Sequence, residues 1–376
     1  MELNLSSRVL IVEPSGNLWG SERVLLDFLS VASKSSWEIA VCCPPGTQII
    51  EPLSQLPVKI FPNFRANLHL QKRRQRLQAM LGLLRAAVSF RPSLIYVNQA
   101  GATRIALFVG RLLRIPVITH VRLAEDVQYV LSLHADRKAL PKVLCISQYI
   151  RDLFPDEGIV SSTQLVMLYD LYSLQSDSAN ITFNSPIPDG EPIFSCVGRL
   201  AHIKGQDILL NAISVLNCAG VKAQAIFVGA AGPGDEFGCD LQRLSKDLAI
   251  EEQVIWAGFQ SEASSHLSKC VAQVCPSRIE PLGRVVFEAW DAGTIPIAWA
   301  GSGGPAEVIR DSGGGLLYEQ QTGECLAETL KVAISMKQME RGEMIKRGRA
   351  WLREYCDPHQ YAQRMLSLWE EVAGAR

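Results

Sequence analysis

No apolar run in this 376-residue chain is long enough to cross a bilayer; the best candidate, Ile105 to Leu113, is short and broken by Arg111. The opening MELNLSSRVLIVEPSG has no basic leader and reads directly as a first buried strand, so no secretory signal and a cytoplasmic location are expected. The 10 cysteines form no CxxC pair, and several sit inside apolar runs such as IAVCCPP, VLCIS and FSCVG. That usage points to buried free thiols and away from a zinc site. No acid stands between Glu51 and Glu125, a gap in which 12 Lys and Arg fall. Residues 1–175 hold 19 basic and 13 acidic side chains, and the remainder 18 and 25. A net charge of −1 thus conceals a positive first half and a negative second.

With 48% hydrophobic residues, the chain can build two ordinary cores. The order strand, turn, helix recurs throughout, the mark of parallel sheets covered by helices. RVLIVEP, WEIAVCCPPG, VKIFP, SLIYVNQ, PVITHVR and VLCISQYI read as strands of a first domain, with SERVLLDFLSVA a helix whose N-cap is Ser21. Leu77, Met80, Leu81, Leu84 and Val88 recur at helical spacing and are expected to form a core stripe. SLQSDSANITFNSPIPDGE is polar and aperiodic, and the pattern restarts after it with PIFSCVGRL, AQAIFVG, QVIWAGF, VAQVCPS and IPIAWAG. The expected organisation is therefore two doubly wound α/β domains facing across a cleft. Residues 1–172 form the first and 192–356 the second, with a linker over 173–191. A final helix over 357–376 is expected to pack back on the first domain.

In such sheets ligands sit beyond the carboxyl ends of strands. Three loops of the second half are chemically loaded. VGRLAHIKGQD places Arg199 and Lys204 at the start of a helix, where two cations and free N–H groups suit a diphosphate; two solvated surface cations are the alternative. SRIEPLGRVVFEAWDAG places Glu280 before a helix and Glu288 within it, where a carboxylate accepts from a diol such as ribose. Gly283 allows close backbone approach, and solvated acids favoured by the helix dipole are the alternative. GSGGPAEVIRDSGGGLLY adds turns at Gly301, Gly303, Gly304 and Gly313, a weak signal alone.

PSRIEPLGRVVFEAWDAGTIPIAWAGSGGPAEVI resembles the signature of family 4 retaining glycosyltransferases, whose GT-B architecture has two Rossmann-like domains. The likeness extends to VGRLAHIKGQD and VIWAGF, and more weakly to GSERVLLDFL, IYVNQ and THVR. By that resemblance, Arg199 and Lys204 bind the donor diphosphate, Glu288 the ribose, and Glu280 lies near the donor sugar. Leu282, Gly283 and Arg284 present backbone groups to sugar and phosphate. His120 faces the sugar from the first domain, and Gly20 lets backbone approach diphosphate or acceptor. The resemblance implies a nucleotide diphosphate sugar as donor substrate, a saccharide or lipid-linked acceptor, retention by front-face attack, and no cofactor or metal. No D-x-D triplet, the metal–sugar marker of the other large transferase architecture, occurs. The chain departs from the family at MLYDLYS, where an Asn-Gly-x-Asp element is common, and at Trp290 and Asp291.

QKRRQRLQAMLGLLRAAV carries Lys72, Arg73, Arg74 and Arg76 in the first turns of a helix, where the dipole disfavours cations. An anionic membrane surface or lipid diphosphate acceptor compensates for that; a solvated face is the alternative. Peripheral attachment to the inner face of the membrane follows from the first reading. Nucleic acid is not expected, because the cluster lacks interleaved aromatics or a reading motif. Competing functions are a nucleotide-sugar epimerase on the same architecture and a catalytically silent binding subunit. A dinucleotide oxidoreductase ranks lower, since FVGAAGPGDE does not have G-x-G-x-x-G spacing.

Overall fold

A strand of a parallel sheet covered on both faces is buried along its whole length, so it reads as a continuous apolar run. The computed structural model describes residues 7–62, 73–133, 142–155, 164–175, 190–232, 234–260 and 264–374, and shows this burial in LIYV (94–97), VITHV (117–121) and AQVC (272–275). The chain divides into two compact units, Met1–Ser173 with Tyr355–Arg376, and Leu174–Glu354.

The first unit contains β1 (Arg8–Val12), β2 (Glu38–Cys42), β3 (Lys59–Phe61), β4 (Leu94–Val97), β5 (Val117–Val121), β6 (Lys142–Cys145) and β7 (Leu165–Met167). Among the described residues these form one parallel sheet in the order β3-β2-β1-β4-β5-β6-β7. The second contains β8 (Ile193–Val197), β9 (Gln224–Val228), β10 (Val254–Gly258), β11 (Ala272–Cys275), β12 (Ile295–Trp299) and β13 (Leu316–Tyr318), parallel in the order β10-β9-β8-β11-β12-β13. Both orders reverse direction once, between β1 and β4 and between β8 and β11. Loops leaving those two strand ends diverge to opposite faces and leave a crevice, the usual ligand position in open α/β sheets. The expected fold class, two doubly wound parallel α/β units, is present.

The helix Pro358–Gly374 belongs to the core of the first unit although it follows the second in sequence. Its Tyr361 and Trp369 meet Phe28 of the helix Gly20–Ala32 edge-on, at ring separations of 5.6 and 5.4 Å, and Trp369 also meets Trp37 at 5.4 Å.

The opposite face of that sheet corrects an expectation. The helices Arg73–Phe90 and Thr103–Leu113 cover it with Ala79, Leu83, Ala86, Ala87 and Phe90 from the first and Ala106, Leu107 and Val109 from the second. Leu77, Leu81 and Val88, expected in the core stripe, are instead 52%, 39% and 56% exposed, while Met80 and Leu84 are half-buried against the core. Small alanines let the helix lie close to the sheet, so the buried face is marked by small residues and the larger leucines point away. A second correction concerns Ser21. The N-cap of the helix Gly20–Ala32 is Trp19, two residues before Ser21, and its N–H donates to the Glu22 carboxylate at 3.1 Å, the glutamate half of a capping box. Among the cysteines, Cys42, Cys43, Cys145, Cys196, Cys275 and Cys356 are buried, but Cys218 and Cys239 are exposed. Burial pushes the Cys275 thiol up to about 11, which keeps it unreactive.

Candidate functional site

The crevice of the second unit is built from the loops that follow β8 and β11. After β8 the chain passes through Gly198 and Arg199, makes a short helical turn at His202–Lys204, and enters the helix Gln206–Cys218 through Gly205. Gly205 has φ +70°, and a Cβ there would stand 2.2 Å from the Pro276 carbonyl oxygen. Glycine is thus required twice over, for the left-handed turn and for contact with the loop after β11. Arg278 locks the same two loops. Its guanidinium donates to Asp207 through two nitrogens at 3.0 and 2.7 Å and to the His202 carbonyl at 2.6 Å, and its backbone N–H donates to Ile203 O at 2.8 Å.

Against this clamp stands Glu280. Its backbone is tied to the loop after β12, with Glu280 N donating to Ser302 O at 2.8 Å and Glu280 O accepting from Gly304 N at 2.9 Å. Its carboxylate forms an ion pair with the Lys204 ammonium. Burial is the largest single influence and pushes the lysine down, but the Glu280 charge and its hydrogen bond, with Cys275, together outweigh burial and the opposing charge of nearby Arg199 and hold the ammonium above its ordinary value. Arg199 is exposed beside this pair, so the two expected cations and Glu280 share one locality. Gly283 (φ +77°) begins the helix Arg284–Asp291, and a Cβ on it would meet Pro305 Cγ at 2.4 Å. Leu282 is buried, while Arg284 and Glu288 are half-buried on one face of that helix, one turn apart. Three further buried atoms of this unit, Gln206 Oε1, Ser302 Oγ and the Tyr318 hydroxyl, have no hydrogen-bond partner among the described residues. They border the same loops and leave acceptor and donor capacity for a polar ligand.

The first unit has its own polar cluster where β1 and β4 diverge. Glu13 at the end of β1 accepts from Asn98 Nδ2 at 2.6 Å, Gln99 Nε2 at 3.2 Å and Ser15 N at 2.8 Å. Glu22 accepts from the same Gln99 at 2.8 Å. Asn98 in turn receives Arg122, whose guanidinium is paired with Asp170 at 2.7 and 2.8 Å in the interior. The left-handed glycine of this loop is Gly16 (φ +70°), pressed on Thr47; Gly20 is the exposed first residue of its helix. His120 is fully buried, with Nδ1 2.8 Å from the Tyr96 hydroxyl and Nε2 without a partner among the described residues. Burial and then the Arg122 charge lower its pKa, so the ring is neutral near pH 7. Of the expected basic cluster, Arg74 and Arg76 are exposed at the start of the helix Arg73–Phe90. Lys72 and the Arg73 side chain lie outside the described residues.

Glu13, Asn98, Gln99, Arg122, Asp170, Asp207 and Arg278 were not singled out from sequence as site residues. One of them titrates in a useful range. Burial, and then the charge of Glu22, raise the Glu13 carboxyl from 4.5 to about 7. The folded state then binds a proton that the unfolded chain has released, so stability falls as pH rises from 4.5 to about 7. The slope from this group reaches at most ~1.4 kcal/mol per pH unit. Urea unfolding across that window is expected to show the slope in the native chain and its loss in Glu13→Gln.

The architecture is shared with solved structures. Anabaena HepE in complex with UDP-glucose superposes with a TM-score of 0.78 at 19% identity, covering 97% of this chain and 99% of that one. A glycosyltransferase from Rickettsia africae gives 0.79 at 15% identity over 99% of this chain. Similarity in sequence is found to the lipopolysaccharide core biosynthesis glycosyltransferase LpsE of Rhizobium meliloti, 28% identical over 161 residues, 43% of this chain and 44% of that protein. Soluble starch synthase 1 of Solanum tuberosum is 32% identical over 160 residues, 40% of this chain and 24% of its own length. The matched segment spans less than half of either relative. Residues 177–351, which include Lys204, Glu280 and Glu288, match the family described as glycosyl transferases group 1.

Proposed function

We propose that the chain is a retaining, metal-independent glycosyltransferase of family 4. In this reading it moves a sugar from a nucleotide diphosphate sugar to a saccharide or lipid-linked acceptor at an anionic membrane surface. The observation that carries the reading is the grouping of Arg199, Lys204, Glu280 and the Gly283-led helix start where β8 and β11 diverge. Two cations and exposed amide hydrogens favour charge that builds on a departing diphosphate. Glu288 accepts from the ribose, and Glu280 orients Lys204 while it borders the sugar. The acceptor hydroxyl attacks the anomeric carbon on the face that the phosphate leaves. The new C–O bond forms as the C–O bond to phosphate breaks, and the acceptor proton passes to the leaving phosphate oxygen. The relative named as a lipopolysaccharide core biosynthesis glycosyltransferase and the neighbour holding UDP-glucose support a nucleotide sugar over a dinucleotide.

Thermal-shift titration with uridine, guanosine and adenosine diphosphate sugars tests the donor site. One of the three is expected to stabilise the chain, and Arg199→Ala and Glu288→Ala to abolish that shift. No response to any nucleotide removes the reading. Turnover is expected to survive EDTA with the anomeric configuration of the donor kept in the product, both read by NMR of the glycoside formed.

A further inference from the structure

We propose that the outward faces of the helices Arg73–Phe90 and Thr103–Leu113 form one docking face for an anionic lipid bilayer. The two helices lie on the same side of the first sheet and share one buried core. Opposite that core, Leu77, Leu81 and Val88 recur at positions that superpose on one helical stripe, and they are 52%, 39% and 56% exposed. The neighbouring helix exposes Phe108 and Leu112 by 52% and 59%, four residues apart on its own outward stripe. Five large apolar side chains exposed to water on two helices that pack side by side are the kind of surface that marks an interaction site.

Charge identifies the occupant. Arg74 and Arg85 share the stripe of Leu77 and Leu81, and Arg104 and Arg111 share that of Phe108; all four are exposed. Neither helix contains an acid, and none occurs in the sequence between Glu51 and Glu125. Arginines interleaved with leucine and phenylalanine suit the boundary between lipid headgroups and acyl chains, where apolar tips enter and guanidinium groups stay with phosphate. A second copy of this face would set arginine against arginine. Nucleic acid would leave the leucines and valine without a partner. The inference rests on the membrane surface of the proposed function, but the face lies in the first unit and the proposed donor site in the second, so loss of vesicle binding and loss of nucleotide binding are separate outcomes.

Flotation of the full chain with phosphatidylglycerol–phosphatidylcholine vesicles at low and high salt tests it. Binding is expected at low salt, weakened by salt, and absent on pure phosphatidylcholine. Arg74→Gln/Arg104→Gln/Arg111→Gln is expected to lower partition roughly a hundredfold, about fivefold per cation. Leu77→Ser/Leu81→Ser/Phe108→Ser/Leu112→Ser is expected to lower it at least about tenfold while keeping the salt dependence. All seven positions are exposed, and unchanged melting midpoints verify that the variants fold. Failure of the native chain to float, equal partition of native and variant chains, or a concentration-dependent dimer that the serine variant dissolves each overturns the proposal.

Discussion

Lys204→Ala is expected to lower kcat/KM for sugar transfer by roughly 10²–10³, the effect of removing one group that stabilises developing negative charge. The ammonium sits between two demands: it neutralises Glu280 in the resting site, and in the proposed reaction it meets the diphosphate. Its loss removes a cation from the leaving group and leaves the Glu280 carboxylate, 15% exposed, facing the same locality with its charge uncompensated. Both effects repel a diphosphate, so KM rises and kcat falls together. Glu280→Gln separates them, since it releases Lys204 while keeping the side-chain shape; it is expected to weaken nucleotide binding less than Lys204→Ala does. Steady-state kinetics on both variants, with Lys204→Arg as the charge-preserving control, decide the matter. If Lys204→Ala keeps native kcat, the lysine serves the fold and not the leaving group.

Asp170→Ala is expected to cost about 3–5 kcal/mol of stability, because it strands the Arg122 guanidinium in the interior. The two side chains are 2% and 7% exposed, and the guanidinium is held further by the Asn98 carbonyl at 3.0 Å. For a unit of this size the loss corresponds to a fall in Tm of roughly 6–20 °C. The desolvation of both ions is already spread over a network with Asn98 and Glu13, so a paired replacement by apolar residues has less to lose than a single one. Arg122→Met/Asp170→Leu is therefore expected to recover most of the loss in urea unfolding. A single variant within about 1 kcal/mol of the native chain would mean that water reaches the pair.

The parallel α/β character of both units was legible from runs such as LIYV and AQVC, because a strand buried on both faces carries its signal within a few residues. β7 and β13 were not singled out, although β3, an edge strand of the same three-residue length, was read from VKIFP. The grouping of Lys204 with Glu280 was legible as two loops of known type, although their pairing joins residues 76 positions apart. The clamp of Arg278 on Asp207 was not, and neither was Arg122 on Asp170, although both pairs involve loops already marked as unusual. SRIEP and MLYDLYS contained the signal, an arginine beside Glu280 and an acid where the family differs. The partner could not be chosen from spacing.

The stripe Leu77, Leu81 and Val88 shows the same limit in packing. Helical spacing identified residues that share a face, and they do share one. Which face meets the sheet depended on how closely the backbone could approach, and alanine and glycine allow the closest approach. Local energetics sufficed for the longer strands and for the order of the loops, since each is settled within a short stretch of chain. Burial of a helix face and the pairing of interior charges were settled by contacts between segments 48 to 85 residues apart. Their free energies exist only once the sheet has brought those segments together, so they leave no mark on either segment alone.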